Sequence, residues 1–272
     1  MRKYVIAMVA GLALLTACKR EQPKEEEAKP EAAKPEVKID RQLLAAFGEP
    51  LPKRIDFGEE PPSQEMIDLG RMLYYDARLS KNHDVSCNSC HDLQNYGVDN
   101  KPVSDGHKGL RGDRNSPTIY NAAGRHVQFW DGRADDLRAQ AGQPMLNPVE
   151  MGITSGAEVV ERILESPEYV EKFERLFGPD VFEDPDVAFD AGATALAAYQ
   201  SSPAFSTFDS KYDRVLRGEE SFTAEEAFGR SVFLSWNCQL CHMLRDKAAT
   251  ETFTNYEYHN IGVPVNHAAR AA

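Results

Sequence analysis

A chain of 272 residues with 31 Lys and Arg against 43 Asp and Glu carries a net charge of −12, so its field repels nucleic acid and steers basic partners. With 42% apolar residues it can bury one large or two small cores, which sets it apart from disordered chains. Its five cysteines are too few and too widely spread for a disulfide scaffold.

Residues 1–17 read as a signal peptide. Arg2 and Lys3 precede an apolar run from Val5 to Leu15 that is too short to span a bilayer. Leu15-Thr16-Ala17-Cys18 resembles a bacterial lipobox, which would make Cys18 a lipidated first residue; the alternative is an ordinary secretory signal with Cys18 incidental. Lys19 after the cysteine points to sorting to the outer membrane, as a lipoprotein facing the periplasm. Residues 18–40 then form a flexible tether of Glu, Lys, Ala and Pro, with almost no large apolar side chain to bury.

Beyond the tether the periodic segments are helical. Ser63 can cap a helix whose Met66, Leu69, Gly70 and Leu73 share one face. Ser166-Pro167-Glu168 starts another, with Tyr169, Phe173 and Leu176 in line and Gly178 as a stop. Asp184-Pro185 opens an Ala-rich helix to about Tyr199, and Thr223-x-x-Glu226 is a capping-box signal for a fourth. Strand signals are short and isolated. The expected fold is all-α, with long loops and two units: residues 41–200, and residues 201–272 as an incomplete second unit. Residues 41–52 could pack on that second unit.

The chemistry lies in a pentapeptide that occurs twice, Cys87-Asn88-Ser89-Cys90-His91 and Cys238-Gln239-Leu240-Cys241-His242. Two thiols at this spacing can form thioethers to the vinyl groups of a haem, and the adjacent His is then held beneath the iron as its ligand. A zinc site or a redox dithiol would use the Cys pairs but gives no reason for a His after each. The chain therefore reads as a dihaem c-type cytochrome, with one haem on Cys87, Cys90 and His91 and one on Cys238, Cys241 and His242.

Between the motifs run Ser104-Asp-Gly-His107, Asn115-Ser-Pro-Thr118, Phe129-Trp-Asp-Gly-Arg133, Gln140-Ala-Gly-Gln-Pro144 and Asn147-Pro-Val-Glu-Met151. This ordered set resembles the bacterial dihaem cytochrome c peroxidases, over roughly residues 45 to 264. The resemblance implies two cytochrome c-like domains, a peroxidatic haem at the first motif and an electron-receiving haem at the second. It implies that Glu150 moves a proton during O–O cleavage, that Gln140 hydrogen-bonds the bound peroxide or its water, and that Trp130 carries electrons between the haems. It makes His107 a displaceable sixth ligand of the first haem iron. It also makes Asn115 a calcium ligand, with carbonyls near Gly262 and Pro264 as partners. His83, His126 and His267 match nothing in the family, and His259 lies in a family-like segment without a role.

The implied activity is reduction of hydrogen peroxide to water with electrons from a small cytochrome c or cupredoxin, and a homodimer is compatible with it. Two alternatives stay open: a MauG-like dihaem oxidase of a protein substrate, and an electron-transfer cytochrome without peroxide turnover. Family members continue beyond Ile-Gly-Val-Pro with a segment that supplies the second haem's distal ligand, so the chain is expected to be C-terminally truncated.

Overall fold

The computed structural model describes residues 61–206, 208–243 and 253–262, together with the backbone of residues 36–37. The signal peptide, Cys18, residues 41–52, Pro264 and His267 lie outside the described residues.

Helix α1, Gln64–Tyr75, begins where Ser63 accepts a hydrogen bond from the Met66 amide. Leu69 and Leu73 on its inner face are buried. A one-turn helix, α2 (Cys87–Cys90), carries the first Cys pair. Two short helices follow, α3 (Leu137–Ala141) and α4 (Gln143–Leu146). Three longer ones complete this part: α5 (Gly156–Leu164), α6 (Pro167–Phe177) and α7 (Pro185–Gln200). The helices α1, α3 and α5 all pack on α7, and α6 packs on α1 and α5. Tyr169 and Phe173 of α6 and Val159 and Ile163 of α5 meet Leu69 and Leu73 in one core.

The Ala-rich run of α7 explains how it can serve as the hub. Ala188, Ala191, Ala193 and Ala195 are buried, and small side chains let neighbouring backbones come close. The closest approach is at Gly70, where an added Cβ would stand 1.9 Å from the Ala195 carbonyl oxygen. Gly70→Ala must therefore push α1 away from α7. Despite alanine's better helix propensity, we expect it to destabilise the fold by about 1–3 kcal/mol in a denaturant titration.

Helix α5 is tied to the loop before the first motif. Glu158 accepts from Lys81 Nζ at 2.6 Å, from Thr154 Oγ1 at 3.0 Å and from Arg162 Nη2 at 3.3 Å. These bonds, that from Lys81 foremost, lower its pKa from 4.5 to about 2. Because the folded value lies below the unfolded one, the contribution is complete above pH 4.5 and is lost as pH falls towards 2. Acid unfolding followed by circular dichroism should lose part of its pH dependence in this window in Glu158→Gln.

After α7 the chain forms α8 (Lys211–Leu216), a two-residue strand β2 (Phe222–Thr223) and α9 (Ala224–Ser235). Thr223 and Glu226 form the capping box of α9 reciprocally. Strand β2 pairs antiparallel with Glu36–Val37, here β1, in the register Glu36 with Thr223 and Val37 with Phe222. The segment read as a free tether to residue 40 is thus engaged near its end: backbone pairing needs no large apolar side chain, which is why composition gave no sign of it. The fold is mostly helical, and among the described residues the only strands are these two.

Candidate haem sites

The first motif sits on α2 and the turn after it. The His91 amide donates to the Cys87 carbonyl at 3.0 Å, which closes the turn. The His91 ring places Nδ1 3.2 Å from the Gly97 carbonyl. A proton on Nδ1 shared with that carbonyl leaves the Nε2 lone pair for a metal, the arrangement expected of an iron-ligating imidazole. Burial lowers the ring's pKa, opposed by the Gly97 carbonyl, so the neutral ligand form is favoured. Burial raises the pKa of Cys87 to about 12 and also raises that of Cys90. A redox dithiol needs the opposite shift, towards thiolate.

The second motif repeats this geometry. The His242 amide donates to the Cys238 carbonyl at 2.9 Å, and His242 Nδ1 lies 3.1 Å from the Phe253 carbonyl. Beside it is an apolar hollow of about 260 Å³ lined by Phe233, Leu234 and Phe253. The segment from Phe253 onward also reaches back to His126. Its Asn255 amide donates to the Cys241 carbonyl, and the Tyr256 ring stands edge-on to His126 at 4.3 Å. This strap joins the second motif to the loop that carries Trp130.

A cavity of about 510 Å³ adjoins the first motif and gathers Cys90, His91, Asn115, Trp130, Gln140 and Glu150 from loops far apart in sequence. That volume is within the range of cofactor pockets. Glu150 accepts from Asn147 Nδ2 at 2.6 Å. Burial raises its pKa, while Arg133 and the Asn147 hydrogen bond oppose the rise. The Trp130 indole donates to the Asn115 carbonyl at 3.0 Å, and the ring is 54% exposed. Its loop is braced by Asp131, which pairs with Arg114 at 3.0 Å and with Arg133 at 2.9 Å. Arg133 also lies over the Phe129 ring at 3.5 Å. Asn115 is exposed at the cavity's edge.

His107 does not line this cavity. Its ring is 8% exposed and rests on Gly152. The His107 amide donates to the carbonyls of Val149 and Glu150 at 3.0 and 2.9 Å, so the loop is docked on the backbone of the Glu150 turn. Two glycines make room: a Cβ at Gly106 would stand 2.1 Å from the Val149 oxygen, and one at Gly152 would stand 2.6 Å from the His107 ring. Among the described residues His107 Nδ1 is buried with no hydrogen-bond partner.

Sequence reasoning missed Arg125, which lines the cavity and donates to the Thr118 carbonyl at 3.1 Å. It has no ion-pair partner among the described residues, and burial lowers its pKa. An arginine so placed suits a carboxylate, as a haem propionate would supply. With the two thiols and the oriented imidazole, the residues present fit a haem. No group of three or more His, Cys, Asp or Glu that could hold a metal ion occurs among the described residues.

Comparison with known proteins agrees with this geometry. Residues 64–221 match the family described as di-haem cytochrome c peroxidase. A methylamine utilization protein MauG from Paracoccus denitrificans is 52% identical over 233 residues, which cover 78% of this chain and 60% of that protein. A cytochrome c551 peroxidase from Pseudomonas aeruginosa is 39% identical over 201 residues, covering 73% of this chain and 56% of the relative. Among solved structures, the diheme peroxidase BthA from Burkholderia thailandensis superposes with a TM-score of 0.71 at 28% identity, over 80% of this chain and 60% of that one. The chain spans about 60% of the length of these proteins. Its two haem-attachment motifs, the cavity beside the first and the match over more than half its residues show that the chain belongs to the di-haem cytochrome c peroxidase family.

Proposed function

We propose that this protein is a dihaem c-type peroxidase that reduces hydrogen peroxide to two waters, taking two electrons from a small periplasmic cytochrome c or cupredoxin. The observation that carries this reading is a partly buried carboxyl group, Glu150, that lines the same cavity as His91 and Gln140. An electron-transfer cytochrome has no use for that carboxyl group or for Gln140. When bound, haem supplies the iron that takes up peroxide and delivers the electrons for O–O cleavage.

The chain's own residues supply the rest. Glu150 Oε1 is held by Asn147, which leaves Oε2 to take a proton from one peroxide oxygen and return it to the other, which departs as water. The Gln140 amide orients the bound oxygen pair. His91, with Nδ1 tied to Gly97, offers Nε2. Trp130, fixed by Asn115 and partly open to solvent, lies on the side from which electrons would come. The second motif, joined to that loop by the strap through Phe253 and Tyr256, would receive them in a second cytochrome c-like unit. The same reading assigns Asn115 to a calcium ion, for which amide and peptide oxygens are suitable ligands, and places the protein in the periplasm on a lipidated Cys18.

The 52% identity to a MauG protein favours a second reading, oxidation of a protein substrate at the same haem. One assay separates them. Haem-loaded full-length protein should oxidise reduced cytochrome c in the presence of hydrogen peroxide, two equivalents per peroxide. Peroxide consumption without oxidation of a cytochrome or cupredoxin would transfer the case to the MauG-like reading.

A further inference from the structure

A chain of aromatic rings runs from the first haem site to the surface. Tyr74 lines a small hollow shared with Cys87, Cys90 and His91, and its hydroxyl donates to the His91 carbonyl. Its ring is 5.1 Å from Tyr75, 5.4 Å from Tyr199 and 5.9 Å from Phe205. Tyr74 and Tyr199 are buried, while Tyr75 is 45% exposed. A second aromatic cluster in the same unit, Phe173 with Phe177 and Phe182, has no hydroxyl and lines neither hollow. Packing alone is served by either composition. The tyrosines, unlike the phenylalanines, can also give up an electron with a proton, and they connect the haem motif to water.

We propose that Tyr75 is an oxidation site of this protein, reached through Tyr74 when peroxide arrives and no electron donor is present. The inference rests on the peroxidase reading. Hydrogen peroxide needs two electrons and two protons to become two waters. Without a donor, the peroxide at one chain's haem site takes both electrons in turn through that chain's Tyr74 and Tyr75; between the two, the Tyr75 radical takes an electron and a proton from Tyr75 of a second chain, which is left as the radical. Tyr74 does not keep the deficit, because its hydroxyl faces a peptide carbonyl, a poor proton acceptor. The half-exposed Tyr75, whose side chain hydrogen-bonds Tyr199, releases its proton to water and becomes a neutral radical. Two such radicals join through a carbon–carbon bond ortho to the hydroxyls, so one peroxide and two tyrosines yield two waters and one dityrosine. Oxidising power is thereby led out of the core that Tyr74 shares with Met145 and Met151.

The test treats haem-loaded protein with stoichiometric hydrogen peroxide in the absence of donor. The readouts are the haem absorption band, dityrosine fluorescence, covalent dimer on a denaturing gel and the cross-linked peptide. The expected result is a Tyr75–Tyr75 cross-link that disappears in Tyr75→Phe, falls sharply in Tyr74→Phe and survives in Tyr96→Phe. Tyr75→Phe should keep its turnover with reduced cytochrome c. Tyr96 and Tyr258, at 79% and 72% exposure, are the controls for exposure alone. A haem band that responds to peroxide while the cross-link maps to Tyr96 or Tyr258, or persists in Tyr75→Phe, overturns the inference and leaves the peroxidase reading standing. A haem band that does not respond at all overturns both.

Discussion

Glu150→Gln is expected to bind haem normally and to lose about 10²-fold or more of its peroxide turnover, the usual cost of removing a positioned acid–base group. Glutamine keeps the shape of the side chain, and its carbonyl oxygen can still accept the hydrogen bond from Asn147 Nδ2. What it cannot do is carry a proton from one oxygen to the other. The environment of Glu150 gives the prediction a pH dependence as well. Burial raises the pKa of the carboxyl group and the Arg133 charge opposes it. Removing that charge in Arg133→Gln should raise the pKa further, so that the ionised form is lost earlier as pH falls. The acidic limb of kcat/KM then moves to higher pH. Stopped-flow turnover across pH checks both variants, and near-normal rates in Glu150→Gln would assign the proton to another group.

How far the sequence announces this site depends on how local the determinants are. The starts of α1, α7 and α9 are legible because their caps lie within a few residues of the turns they stabilise, as Thr223 and Glu226 do, and that of α6 because Pro167 stands at its first position. Helix α5 carries a comparable local signal, Ser155-x-x-Glu158, with Ser155 accepting from the Glu158 amide. The loops from residue 92 to 136 are another matter. Tyr120 donates to the Leu93 carbonyl, Thr118 to the Tyr96 carbonyl and Gln128 to the Ala122 carbonyl. Such contacts have no period, and only folding reveals them.

The haem motifs are legible for the opposite reason, since attachment chemistry fixes their spacing within five residues. Glu150, Gln140 and Trp130 became visible only through a family resemblance, and the cavity shows what they share. Arg125 and Tyr74 carried no signal at all. An arginine or tyrosine acquires meaning from its burial and partners, here the Thr118 and His91 carbonyls.

His107→Gly and Gly152→Ala are expected to drive the first haem in opposite directions. The docked position of His107 is a balance. Two hydrogen bonds from its amide hold the loop on the Glu150 turn, whereas its buried Nδ1 is without a partner among the described residues, at a cost of about 1–3 kcal/mol. A ring held on those terms can be exchanged for one that ligates iron, and the bias between the two positions needs only a small change. Gly152 has a φ of +73° and touches the ring, so a methyl group there is strained and fills the space the ring occupies. In haem-loaded ferric protein, Gly152→Ala should expel His107 and enrich a low-spin, His-ligated first haem. His107→Gly should leave that haem high-spin and able to take up peroxide without prior reduction of the second. Electron paramagnetic resonance distinguishes the two states directly. If both variants show the same high-spin signal as the wild type, His107 is no ligand, the site is open at all times, and the MauG-like reading gains what the gated peroxidase loses.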